Sequence, residues 1–316
     1  MKEVIERFKN ARVLVIGDVM LDKYLEGHVN RLSQEAPIPI VEIKSERYVP
    51  GGASNVASNI ASLGGKVTII GSVGNDHAKD ILSDELVRLG ADIDFIVANK
   101  QTTQKIRVIG QKQQIVRIDY EENNPLDEKH QDELIDKIKA NIGRSDVVVI
   151  SDYAKGLLSR RIITEIIDMC NKNNKPVIVD PKPKHKSFYS KATLITPNIK
   201  EALEMSNMII ECEDDFIRLG ETLKSETMSN VLITRGSEGM SLFEMDGSST
   251  HIPTKAKEVF DVSGAGDTVV AALALSIASG ADLKKASIIA NYAAGIVVGK
   301  FGTSTVSLEE LKGVIE

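Results

Sequence analysis

The 316 residues, 42% of them hydrophobic and 27% charged, are enough to bury a full α/β core in one large domain. A formal net charge of -6 lacks the basic excess of nucleic-acid binders, and two cysteines, Cys170 and Cys212, are too few for a disulfide framework or a zinc site. No run of about 18 apolar residues occurs and the first ten residues carry no signal-peptide core, so the sequence predicts a cytoplasmic protein that binds neither nucleic acid nor membrane.

In chain order, short β-branched runs at 12–16, 66–70, 146–150, 176–179, 193–196 and 231–234 alternate with amphipathic helical patterns at 55–63, 78–89, 159–171 and 215–225. This alternation predicts βαβ units and a mostly parallel sheet. The central runs are almost continuously apolar, as strands buried on both faces must be. Two segments differ: 37–43 (PIPIVEI) and 104–120 (QKIRVIGQKQQIVRIDY) alternate apolar and polar residues like half-exposed strands, and Gly110 places a turn in the second. Together they predict a small β lid, spanning about 23–47 and 100–120, on one domain of residues 1–316. Its apolar face needs a cover, either substrate or a second subunit. Beyond Asp267 the pattern is helical throughout, at 268–279, 283–298 and 307–315.

The segment Asp261-Val-Ser-Gly-Ala-Gly-Asp267 carries the sharpest chemical signal. Its glycines let backbone approach a ligand, and the first amides of the following helix are unpaired, which makes an anion site. Asp267, in the first turn, is placed to take a proton from an attacking hydroxyl or, alternatively, to cap the helix. Neither a G-x-x-x-x-G-K-[ST] loop nor a G-x-G-x-x-G after the first strand is present, so P-loop and dinucleotide enzymes are disfavoured. Gly51 and Gly52 open another helix, at whose start Asn55 has the donor and acceptor pair that suits sugar hydroxyls. Asp18 and Asp22 follow the first strand, where open α/β sheets bind ligands, although turn and cap roles suit such residues equally. Asn198 and Glu201 share a helical face and can order Mg²⁺ through water, or form a capping box. Thr234, Arg235, Gly236 and Gly239 offer amides and a guanidinium to phosphates, or simply make a hairpin.

With these residues assembled, the sequence resembles the pfkB carbohydrate kinases of the ribokinase-like superfamily along essentially its whole length. Both family signatures stand in full, at 51–74 (GGASNVASNIASLGGKVTIIGSVG) and 261–274 (DVSGAGDTVVAALA). The resemblance implies a three-layer α/β/α sandwich with a β lid, ATP and Mg²⁺ as cofactors, and Asp267 as catalytic base beside an anion hole of Gly264, Ala265 and Gly266. It also implies sugar contacts from Asp22 and Asn55, metal and phosphate contacts from Asn198 and Glu201, nucleotide contact from Asn291, and K⁺ near Asp261.

Five further segments, GDVMLDKY (17–24), SQEAPIPIV (33–41), VRIDYEE (116–122), SDYAKG (151–156) and GKFGTSTVS (299–307), resemble kinases of D-glycero-β-D-manno-heptose 7-phosphate. That implies phosphorylation of the anomeric hydroxyl to the 1,7-bisphosphate, on the way to ADP-heptose. Many such proteins also carry a nucleotidyltransferase domain, which these 316 residues do not contain. A phosphorylated substrate calls for cations, and Lys105, Arg107, Arg117 and Lys155 are the candidates. A homodimer through the lid is the expected assembly. The alternatives are the same fold acting on fructose 1-phosphate or ribose, and a catalytically silent sugar or nucleotide sensor.

Overall fold

In the computed structural model, described for residues 1–111, 113–256, 258–300 and 302–315, the apolar runs become the middle of a nine-stranded sheet. Lys112, inside the expected lid range, and Phe301, inside the 299–307 segment, lie outside the described residues. The strands in chain order are β1 (Arg12–Gly17), β2 (Val19–Leu32), β3 (Pro39–Gly52), β4 (Lys66–Ile70), β5 (Ser72–Val73), β6 (Asp92–Ile93), β7 (Ile96–Val97), β8 (Gln104–Gly110), β9 (Gln113–Tyr120), β10 (Val147–Ser151), β11 (Val177–Asp180), β12 (Leu194–Ile195), β13 (Asn230–Thr234), β14 (Met240–Phe243) and β15 (Ser249–Ile252). The helices are α1 (Lys2–Glu6), α2 (Ala53–Ser62), α3 (His77–Arg88), α4 (Glu128–Ile142), α5 (Arg160–Lys172), α6 (Ile199–Ser206), α7 (Glu213–Thr227), α8 (Ala265–Ala278), α9 (Leu283–Val297) and α10 (Leu308–Val314).

The large sheet runs β15-β14-β13-β12-β11-β10-β1-β4-β6, parallel from β13 to β6, with β14 and β15 added antiparallel at one edge. Because strand side chains alternate between faces, β1 feeds two cores. Val13 and Val15 pack with α2, α8 and α9 on one face, while Leu14 and Ile16 pack with α4, α5 and α7 on the other. Each such fully buried side chain stabilises the fold by roughly 1.5–3 kcal/mol, so the α/β/α layering follows from the apolar runs themselves. No helix among the described residues is long and apolar enough to cross a membrane.

The second sheet has the order β3-β2-β8-β9. Its outer pairs are antiparallel and its central pair, β2 with β8, is parallel. The expected lid strand at 37–43 is therefore too short: β2 and β3 run for 14 residues each and carry the chain out of the core and back. Register sets Tyr24 beside both Arg47 and Arg107, and Arg107 opposite Arg117, on one face. The other face presents Leu25, Ile106, Val108, Val116, Ile118 and Tyr120, the last three well exposed.

Candidate active site

The ligand-facing end of the sheet is built by the loops that leave β1, β10, β11 and β13, together with the first turn of α8. Gly264 starts α8 in the left-handed region, with φ +79. A Cβ there would lie 2.8 Å from Asn55 Nδ2 and 2.9 Å from Thr303 Cγ2, so only glycine fits. Helix α8 has no side-chain cap, and Asp267 points into a buried polar cluster instead. Its Oδ2 accepts from Asn55 Nδ2 at 2.7 Å and its Oδ1 from the Tyr153 hydroxyl at 2.8 Å. Burial pushes the Asp267 carboxyl up to about 6, against the hydrogen bonds from Asn55 and Tyr153 and the charge of Lys182, while Asp22 pushes the same way as burial. A carboxyl near that value is ionised at neutral pH and is still basic enough to take a proton. Helices α2 and α8 are locked side by side by the Thr268 hydroxyl, which donates to Asn59 Oδ1 at 2.9 Å.

On the lid side, Arg107 Nη1 donates to Asp22 Oδ1 at 2.7 Å. Gly51 allows that approach, since a Cβ there would meet Asp22 Oδ2 at 2.9 Å. Gly52, φ +57, ends β3 and starts α2. The other expected cations converge on the same mouth but are already paired: Lys105 and Arg117 with Asp119, and Lys155 with Glu121 at 2.6 Å. Asp18 corrects its expected role. Its carboxylate is buried and takes three main-chain amides, those of Tyr153, Lys155 and Leu157, so it is committed to holding a loop.

On the nucleotide side, Asn198 and Glu201 do form a capping box at the start of α6. The box leaves one carboxylate oxygen of Glu201 to ion-pair with Lys182. Asp180, at the end of β11, accepts from the Asp152 amide through its main-chain carbonyl, while among the described residues its carboxylate makes no hydrogen bond or ion pair. Burial, then the nearby carboxylates of Asp267 and Glu201, hold it well above the usual carboxylate range. Hard carboxylate oxygens with mutual repulsion suit a hydrated divalent cation. Among the described residues no group of three or more acidic, histidine or cysteine side chains forms a ready metal cage.

An apolar cleft of about 340 Å³ adjoins the glycine turn, lined by Thr234, Gly236, Gly239, Ala265, Gly266 and Asn291 among others. Asn291 donates there to the Pro253 carbonyl at 2.7 Å. Arg235 is the second correction. Its guanidinium lies 3.9 Å from the Phe216 ring centroid and is forked onto Glu213, so it stabilises α7 and the β13–β14 hairpin and does not line the cleft. Asp261 accepts from the Ser263 and Gly302 amides, which shapes the loop ahead of α8.

Sequence reasoning missed Tyr153, Asp180 and Lys182. A positional signal was available, because SDYAKG and VDPK span the ends of β10 and β11, at the same carboxyl ends of parallel strands as Asp18. Arg47 was missed as well. Its guanidinium stacks 4.1 Å from the Tyr24 ring centroid, and the Tyr24 hydroxyl shares a 2.9 Å hydrogen bond with Thr303.

A family model, pfkB family carbohydrate kinase, matches residues 10–311. The chain belongs to that family. This pfkB chain is 44% identical over 309 residues to the bifunctional protein HldE of Azorhizobium caulinodans, covering 97% of its own length and 64% of that protein. With the bifunctional protein HldE of Shewanella sediminis it shares 45% over 313 residues, covering 98% and 65% respectively. It thus spans just under two thirds of the length of these curated relatives. Among solved structures, phosphofructokinase-2 from Escherichia coli in complex with potassium superposes with a TM-score of 0.80 at 20% identity, over 96% of this chain and 98% of that one. Ribokinase from Thermotoga maritima gives 0.72 at 24%, with the same coverage. The ribokinase-like fold is therefore shared, and the family makes this chain an ATP-dependent sugar kinase.

Proposed function

We propose that this kinase phosphorylates the anomeric hydroxyl of D-glycero-β-D-manno-heptose 7-phosphate, giving the 1,7-bisphosphate. The carrying observation is the buried Asp267 at the head of α8, near 6 in pKa and hydrogen-bonded to Asn55, between an apolar nucleotide-sized cleft and a mouth lined by cations. The heptose-kinase-like segments and the similarity to HldE proteins support the sugar. Arg107 on Asp22, with Lys105 and Arg117 on the same sheet and Lys155 beside Glu121, supports a substrate that already bears a phosphate.

In this reading Asp267 removes the hydroxyl proton, and the oxygen attacks the γ-phosphoryl in line while the first amides of α8 hold the charge that develops. Asp22 and Asn55 orient the sugar hydroxyls. Thr234, Gly236, Gly239 and Asn291 flank the nucleotide. Glu201 through water, with Asp180 within reach, would hold Mg²⁺, which supplies charge neutralisation at the phosphate oxygens. The loop at Asp261 is the place for a monovalent cation such as K⁺. The lid sheet excludes water, and its exposed face with Val116, Ile118 and Tyr120 pairs two chains.

Incubation with ATP, Mg²⁺ and heptose 7-phosphate, with fructose 1-phosphate and ribose in parallel, tests the substrate by ³¹P NMR. A new anomeric phosphate on the heptose alone is expected. Faster turnover of either other acceptor overturns the substrate while leaving the kinase class intact. Sedimentation at micromolar concentration checks the dimer, and a monomer throughout would remove it.

A further inference from the structure

Taking Asp267 as the base, we propose that Tyr153 is the positioning residue that orients and tunes it, and that Asp18 fixes Tyr153 by clamping the loop on which it stands. The loop leaves β10 in a conformation few sequences adopt. Ala154 has φ +57 and Gly156 φ +93, where a Cβ would sit 2.2 Å from the Asn124 carbonyl oxygen. Asp18 Oδ2 accepts from the Tyr153 and Lys155 amides at 2.9 and 3.1 Å, and Oδ1 from Leu157 at 3.3 Å. Asp152 completes the clamp by accepting from the Ala154 amide at 2.7 Å. The outcome is a half-buried phenol whose hydroxyl lies 2.8 Å from Asp267 Oδ1.

A carboxylate base loses efficiency if it rotates, and one donor alone leaves rotation open. Here Asn55, on α2, holds one oxygen and Tyr153, after β10, holds the other. Each carboxylate oxygen has two lone pairs, so Oδ1 can keep Tyr153 and still receive the sugar proton. The charged surroundings of Asp267 are Asp22 from the lid and Asp180 and Lys182 after β11. Asp22 is itself paired with Arg107 and Lys182 with Glu201, so burial is the main opposition to charge on Asp267. A phenol donor favours the ionised carboxylate against that burial.

The test compares pH profiles of kcat/KM for wild type, Tyr153→Phe and Asp267→Asn, using whichever of the three acceptors above the wild type phosphorylates. Tyr153→Phe keeps the ring and loses the donor. Its acid limb should move up by about one pH unit, the worth of one hydrogen bond to a charged group, and kcat should fall about tenfold with KM for ATP unchanged. Site-specific fluorotyrosine at 153 keeps the shape, strengthens the donor, and should move the limb down, which covers a poorly folded phenylalanine variant. Limbs that stay in place in both variants overturn the proposal, and if Asp267→Asn still loses 100-fold or more, the base reading survives that failure. Asp267→Asn retaining over a tenth of wild-type activity removes the base and this proposal together.

Discussion

Asp22 and Arg107 stand on neighbouring parallel strands of the lid and are joined by a 2.7 Å ion pair that only Gly51 leaves room for. Both residues were expected at the substrate, one at its hydroxyls and one at its phosphate, and the ion pair sets the two side chains side by side. Arg107 also lies 5.3 Å from the Tyr24 ring centroid, so its fork is held in plane. Arg107→Lys keeps the charge and loses the fork, and should raise KM for the sugar phosphate about tenfold. Arg107→Ala should raise it about 100-fold and leave KM for ATP unchanged. Steady-state kinetics with each substrate varied in turn check this, and an ATP-side defect of equal size would contradict the assignment.

Asp267 makes a second prediction through linkage. Its folded pKa, about 6, lies above the ordinary 3.8. The stability this group contributes is present below pH 3.8 and is lost as pH rises through 6, so at pH 7.5 the folded protein carries the full cost of a buried charge. Asp267→Asn removes that cost, and the new amide can still accept from Asn55 and donate to the Tyr153 oxygen. The inactive variant should therefore be more stable than wild type at pH 7.5, by on the order of 1–3 kcal/mol, with the gap closing toward pH 4. Denaturant melts at the two pH values measure it. An equal or larger gap at the lower pH would count against burial as the cause.

Much of the fold was legible because the strands that matter are apolar on both faces. All six runs read as parallel strands lie in the large sheet within a residue or two of their expected ends. What escaped was structure whose residues serve two masters. The β2 strand mixes Asp22, Lys23, Tyr24 and Glu26 because one face meets the cleft and the other solvent, so no clean alternation marks it. At the site, glycine turns and the first turn of α8 were visible in the sequence. Tyr153 and Lys182 had only their place after a strand to mark them, and a tyrosine or lysine there gains its meaning when distant loops bring it to Asp267 or Glu201. Asp18 misled for the same reason: a carboxylate at a strand end can serve a ligand or three backbone amides, and only the path of the 153–157 loop decides.

The capping box of Asn198 and Glu201 is present, and a single substitution separates it from the proposed metal role. Glutamine at 201 can still reach back to the Asn198 amide, so the capping box and α6 persist. The charge that Lys182 and a hydrated metal would share is lost. Glu201→Gln should melt within a few degrees of wild type and need roughly tenfold more Mg²⁺ for half-maximal rate, an effect of about 1.4 kcal/mol. Titration of rate against free Mg²⁺ at saturating ATP reads this. An unchanged midpoint would leave the glutamate a capping residue and nothing more.

Gly264 offers the sharpest test of the anion-binding turn. Alanine there meets a positive φ that costs roughly 1 kcal/mol, and its Cβ falls within 3 Å of Asn55 Nδ2 and Thr303 Cγ2. Asn55 cannot retreat without releasing Asp267 Oδ2, and the Thr268 hydroxyl of α8, which donates to Asn59 Oδ1, resists the movement of α2. Strain created at residue 264 is thus delivered to the carboxylate three residues on. Gly264→Ala should lower kcat by 100-fold or more while costing only about 1–3 kcal/mol in stability. Gly266→Ala is the control, because a Cβ at 266 meets nothing within 4 Å and its φ is ordinary. Its loss should come through the nucleotide, as a raised KM for ATP, since residue 266 lines that cleft. Equal kcat losses in the two variants would mean that the turn acts only by backbone flexibility, and the close packing of Gly264 on Asn55 would have no part in catalysis.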